Sequence, residues 1–155
     1  MAPDSSLDNR KPTWFSYGLV LSQFTLIACL ALTGSLIPGQ WTVRGLLLVG
    51  GFMGLWALQS MGIRHLRIVP EISEKGRLVV HGPYRWIRHP MYTSVLLVTF
   101  AWMMTNPVWY RIGLWVILFV VLWIKLEYEE KLLAEQFPSY VSYRRQTYRL
   151  IPFLF

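Results

Sequence analysis

Two short stretches hold most of the residues able to do chemistry in this chain. The first is residues 78–92, Leu-Val-Val-His-Gly-Pro-Tyr-Arg-Trp-Ile-Arg-His-Pro-Met-Tyr, and the second is residues 127–130, Glu-Tyr-Glu-Glu. In the first, His81, Arg85, Arg88 and His89 crowd imidazole and guanidinium groups into one short segment. Gly82-Pro83 reads as a turn. Pro90 suits the first position of a helix, where a backbone N–H would lack a partner in any case. The stretch therefore runs from an extended piece, through a turn, into a helix start. Unpaired N–H groups there, beside Arg and His, would suit a carboxylate or a phosphate. In the second stretch carboxylates dominate, with Glu127 close to Glu130 and Glu129 turned about 100° away from Glu130. Taken singly, a basic and aromatic anchor ahead of a membrane span explains the first stretch, and a solvated helix end explains the second. Brought together, they make a pocket with donors for an anion on one wall and carboxylates for a cation on the other. S-Adenosyl-L-methionine, zwitterionic at its methionine end and a sulfonium at its reacting centre, is a ligand of that kind.

The elements that must bring the stretches together are membrane helices. Of 155 residues, 54% are hydrophobic, and they come in runs of spanning length rather than on one face of a helix. This predicts an all-α integral membrane protein with about four transmembrane helices, at about 14–37, 43–63, 90–105 and 108–126. Residues 1–11 read as a disordered tail and 12–155 as one membrane domain. The first run is too long for a signal-peptide core and has no clear small-x-small cleavage site, so it is expected to be a retained span. Thr105-Asn106-Pro107 turns the chain tightly, making spans three and four a helical hairpin. Nothing in residues 127–135 breaks the fourth helix, which is expected to continue through them. Residues 136–155 mix aromatics with Arg and read as a segment lying on the membrane surface. Gly50-x-x-x-Gly54 would let another helix approach closely, and Gln23 and Gln59 are expected to hydrogen-bond between helices.

The net charge of +7 has to be explained by its distribution. All Lys and Arg residues except Arg44 and Arg111 fall before the first span, in the 64–89 connection, or from Lys125 at the end of the last apolar run onward. This is the positive-inside pattern; it places both termini and the chemistry-bearing stretches in the cytoplasm and accounts for the basicity without nucleic acid. Cys29 stands alone, which excludes a disulfide framework or a Cys-based metal site, and no His cluster has metal-ligand spacing. No Gly-x-Gly-x-x-Gly follows a strand, which excludes a soluble dinucleotide-type site.

His81-Gly-Pro-Tyr-Arg-Trp-Ile-Arg-His-Pro-Met-Tyr92, then Glu129-Glu130-x-x-Leu133, then Phe137 and Tyr140-x-x-Tyr143, resemble the isoprenylcysteine carboxyl methyltransferase superfamily, which also includes phospholipid N-methyltransferases. The resemblance covers about residues 61–152. It implies an S-adenosyl-L-methionine-dependent membrane methyltransferase. The acceptor would be lipophilic, either a prenylcysteine-like carboxylate or a lipid amine or thiol, met among membrane lipids. Carried over by position, it implies cofactor contacts from Arg77, Leu78, Val79, Val80, His81, Gly82, Tyr84, His89, Pro90, Tyr92, Glu129 and Glu130. It also implies catalytic roles for His89 and Arg88. Lys125 departs from the Arg of many eukaryotic members, and Pro138 from the Gly that usually follows the Phe. Two other readings stand beside this one. Membrane sterol and enone reductases are distantly similar in the same half and use NADPH, whose phosphates suit the basic loop but not the acidic cluster. A non-catalytic membrane scaffold would bind no cofactor.

Overall fold

In a computed structural model, residues 14–62 and 78–152 are described. They form α1 (Trp14–Leu32), α2 (Trp41–Met61), α3 (Pro90–Met104), α4 (Trp109–Gln136) and α5 (Tyr140–Gln146), with a 3₁₀ turn at Gly82–Arg85 ahead of α3. No strand occurs among the described residues. Helices α1, α2 and α4 are long and apolar enough to cross a membrane, whereas α3 is apolar but shorter, at 15 residues. The polar tail at 1–11 and Arg77 lie outside the described residues.

Local chemistry explains the boundaries. Pro90 opens α3, and His89 before it has φ −122° and ψ 58°, outside the helical region from which a following proline excludes it. The His89 carbonyl accepts the Tyr92 and Thr93 N–H groups at 3.0 and 3.1 Å. Helix α4 runs unbroken for 28 residues, so its charged last ten residues project rigidly about 15 Å beyond the apolar part.

Helix α1 stops at Leu32 rather than at residue 37. Arg111, fully buried in the first turn of α4, donates to the carbonyls of Leu30 (3.1 Å), Thr33 (2.7 Å) and Trp102 (2.5 Å). The Thr33 hydroxyl takes the Cys29 carbonyl at 2.6 Å. A side chain at Gly34 would collide with the guanidinium, so a glycine there leaves room for Arg111 against the end of α1.

Helix α3 touches α1, α2 and α4, but α2 is its main partner, and α4 packs chiefly on α1. The α3–α4 hairpin is thus a connection more than an interface. The α2–α3 contact depends on small residues. A Cβ at Gly50 would come within 2.9 Å of Leu97 Cβ and 3.1 Å of Val98 N, and one at Gly54 within 2.5 Å of Ser94 Oγ. The Ser94 hydroxyl donates to the Gly50 carbonyl at 2.7 Å. Gly50-x-x-x-Gly54 therefore does what its spacing suggests. Gln23 also pairs between helices, accepting from Lys125 Nζ at 3.0 Å, whereas Gln59 is exposed on α2. The core joins Leu30, Leu96, Met103, Leu118, Leu122 and Leu126 to Leu150 from the tail.

Candidate functional site

The site begins with a glycine. Gly82 has φ +62°, and a Cβ there would collide with the Ser60 side chain of α2; only glycine accepts both the conformation and the contact. The turn it allows buries Pro83 and Tyr84. The Trp86 ring lies edge-on to Trp56 at 6.0 Å. Residues 87–89 then run extended and buried into α3.

Beside them lies the tail. Tyr148 N–H donates to the Trp86 carbonyl (2.9 Å), Arg88 N–H to the Tyr148 carbonyl (2.8 Å) and His89 N–H to the Arg149 carbonyl (3.1 Å). Ile87 and Tyr148 thus form a parallel bridge, and the Thr93 hydroxyl ties down the Leu150 carbonyl at 2.7 Å. This alters one expectation. The amides of Arg88, His89, Tyr92 and Thr93 are all occupied, so the helix start offers an anion far fewer donors than the sequence suggested.

The side chains converge on two carboxylates from α4. Arg88 Nε donates to Glu130 Oε1 at 2.7 Å, both side chains being nearly inaccessible. Arg88 Nη1 also donates to the Thr147 carbonyl and, at 3.0 Å, to the Arg144 carbonyl. Glu130 Oε2 lies 3.3 Å from Arg149 Nη2 and 3.7 Å from Arg144 Nε, while Arg149 Nη1 holds Glu127 at 2.6 Å. His89 sits between the carboxylates, with Nδ1 3.6 Å from Glu129 Oε2 and Nε2 3.5 Å from Glu130 Oε1. Those are ion-pair rather than hydrogen-bond distances, and the buried Nε2 has no hydrogen-bond partner among the described residues. The His89 ring stacks on Tyr92 at 5.5 Å, and the Tyr92 hydroxyl donates to Glu129 Oε1 at 2.5 Å. Burial alone would lower the His89 pKa, but Glu129 and Glu130 outweigh it and hold it above its ordinary value.

A family model described as phospholipid methyltransferase matches residues 40–139. The match runs from the turn before α2 to the residue before α5, most of the chain. The chain belongs to the phospholipid methyltransferase family. No curated protein matches it. With three apolar helices of spanning length, this family member is an integral membrane methyltransferase. The match contains Arg88, His89, Tyr92, Glu129 and Glu130 but neither α1 nor the tail. Arg144, Thr147 and Arg149 thus reach the cluster from outside the matched residues.

In this member of the phospholipid methyltransferase family, the residues expected at the site divide into two groups. Arg88, His89, Pro90, Tyr92, Glu129 and Glu130 come together where α3 begins and α4 ends. Tyr84 stands close to Glu129; burial first, then Tyr143 and Glu129, raise its pKa, and its hydroxyl has no hydrogen-bond partner among the described residues. Leu78 and Val80 instead line a groove of about 680 Å³ with Arg85, Trp86, Tyr143 and Thr147. Val79 is half-buried, His81 is exposed, and Gly82 faces α2. A smaller groove of about 310 Å³ opens beside Glu127, Glu130, Glu135 and Arg144. Helix α5 lends residues to both grooves. The Tyr143 hydroxyl, which burial pushes up to about 12, donates to the Tyr84 carbonyl at 2.6 Å. Sequence reasoning missed Arg144, Thr147 and Arg149. The available signal was charge complementarity between three Arg in 144–149 and three Glu in 127–130.

Proposed function

We propose that this chain transfers a methyl group from S-adenosyl-L-methionine to a lipophilic acceptor at the cytoplasmic face of a membrane spanned by α1, α2, α3 and α4. The observation that carries the reading is His89, buried between Glu129 and Glu130 with Nε2 unpartnered among the described residues. The segregation of Lys and Arg in the sequence supports the sidedness.

The residues present fit such a cofactor. Glu129 and Glu130 suit its cationic groups, the unpartnered Tyr84 hydroxyl and His89 Nε2 suit its polar atoms, and the groove at Leu78 and Val80 offers an apolar wall. When bound, the cofactor supplies a methyl group already activated on a sulfonium. The chain's own residues contribute position and dryness. Arg88 fixes Glu130 and ties it to the tail, and the paired segments 86–89 and 148–150 close one side of the site to water. The two carboxylates favour the protonated His89 ring, a form that donates a hydrogen bond and cannot act as a base. Arg88 and His89 are therefore positioning groups in this reading. A carboxylate acceptor needs no base, whereas an amine or thiol would have to lose its proton elsewhere.

Calorimetry on the detergent-solubilised protein tests this directly. S-Adenosylhomocysteine should bind and NADPH should not. Binding of NADPH alone would make the chain a reductase, and binding of neither would leave a scaffold. For sidedness, Glu135→Cys should react with an impermeant maleimide only after cells are opened.

A further inference from the structure

A line of polar side chains leads from membrane depth to the candidate site. Gln23 on α1 and Lys125 on α4 are both buried, and Lys125 Nζ donates to Gln23 Oε1 at 3.0 Å. The same ammonium lies over the Tyr92 ring, 5.4 Å from its centroid. Tyr92 donates to Glu129 Oε1 at 2.5 Å, and Glu129 Oε2 faces His89 Nδ1 at 3.6 Å. A lysine used only to anchor a span would extend its ammonium to the headgroups. This one is turned inward, where a charge is costly unless paired. Its neighbours include a neutral amide, an aromatic face and the Glu129 carboxylate, and the first comes from a helix outside the residues matched to the family.

We infer that Gln23 is a positioning residue for the site, holding the Lys125 ammonium against the Tyr92 ring so that the Tyr92 hydroxyl stays on Glu129. Helix α1 is then part of the site's scaffold as well as a span. The side chain suits this task because its oxygen accepts from the ammonium and fixes it over the ring. The functional part of the inference rests on the cofactor reading above; the structural link does not.

The test is ¹⁹F NMR on protein labelled with 3-fluorotyrosine. The chain has 8 Tyr, and the Tyr92 resonance is the one lost in Tyr92→Phe. Gln23→Leu and Lys125→Met should each move that resonance in the same direction. The double variant should move it no further, and Gln23→Glu, which keeps an accepting oxygen, should restore it. Affinity for S-adenosylhomocysteine should fall about 3- to 10-fold in Gln23→Leu, the size expected for loss of one hydrogen bond, and recover in Gln23→Glu. A Tyr92 resonance unmoved by Gln23→Leu but moved by Lys125→Met would overturn the link and leave Gln23 a packing residue. If Gln23→Leu does not fold, Gln23→Asn, whose shorter amide cannot reach, takes its place with the same expected shift. Failure of the wild-type protein to bind S-adenosylhomocysteine would sink the cofactor reading alone, because the resonance is read without any ligand.

Discussion

Arg88 and Arg111 are both buried, at opposite ends of the α3–α4 pair, and they are held in different ways. Arg111 is gripped by carbonyls from the last turns of α1 and α3, groups that every helix leaves unpaired at its end. Those partners are main chain and cannot move without unwinding a helix. Arg88 is held by one carboxylate and by tail carbonyls, and that carboxylate also lies close to Arg149, Arg144 and His89. Its carboxylate partner is a side chain with alternatives. One end of the molecule is a clamp, while the other is a charge network that a ligand can enter by exchanging partners.

Five substitutions would break or sharpen that contrast. The largest effect is expected for Glu130→Gln, which strands the Arg88 charge. Such a loss typically costs about 3–5 kcal/mol, read as a lower melting temperature. The folded fraction should bind S-adenosylhomocysteine ~10–100-fold more weakly, as expected for loss of a charge-assisted contact. Unchanged affinity in both Glu129→Gln and Glu130→Gln would leave these residues a structural role with no part in holding the cofactor. Next, Arg111→Met should cost about 1–3 kcal/mol by removing a donor from the Leu30 and Thr33 carbonyls, the Trp102 carbonyl keeping Thr105, yet leave ligand affinity within about twofold once folded. An affinity loss as large as that of Glu130→Gln would erase the distinction between the ends.

A smaller effect is expected at His89. Its folded pKa lies above 6.5, so the fold favours the imidazolium. That contribution is complete below pH 6.5 and is lost as pH rises through the higher folded value. Wild-type melting temperature should therefore decline across that interval, and His89→Asn should flatten the decline; equal slopes would refute the charge assignment. The smallest change is Tyr143→Phe, which removes the bond to the Tyr84 carbonyl and should cost about 1 kcal/mol in a urea or thermal titration.

Much of this architecture was legible in the chain because it follows from local rules. Pro90 marks the start of α3, the absence of a breaker carries α4 through Glu135, and Gly50 and Gly54 mark the face that meets α3. The rotation between Glu129 and Glu130 was also legible, and the structure uses it: Glu129 meets Tyr92, and Glu130 meets Arg88. What escaped were pairings without a periodic signature. The bridge between Ile87 and Tyr148 joins two irregular segments far apart in sequence, and neither advertises a partner. The role of Arg111 escaped because burial by backbone carbonyls leaves no complementary charge to find. The preference of α3 for α2 over its hairpin neighbour is likewise set by small residues meeting across helices, not by the shortness of the turn at residues 105–107.

Helix α3 has 15 residues, about 22 Å of rise, against a hydrocarbon layer of about 30 Å. If α3 spans as proposed, a helix that short does not reach ordinary headgroup level at both ends, and a bilayer that thins or dips toward its polar end would accommodate it. In the proposed orientation, the cytoplasmic leaflet is drawn down to His89 rather than His89 being lifted out to water. A lipid acceptor would then reach the site by moving sideways within its own monolayer, and membrane thickness itself becomes a variable on which turnover depends.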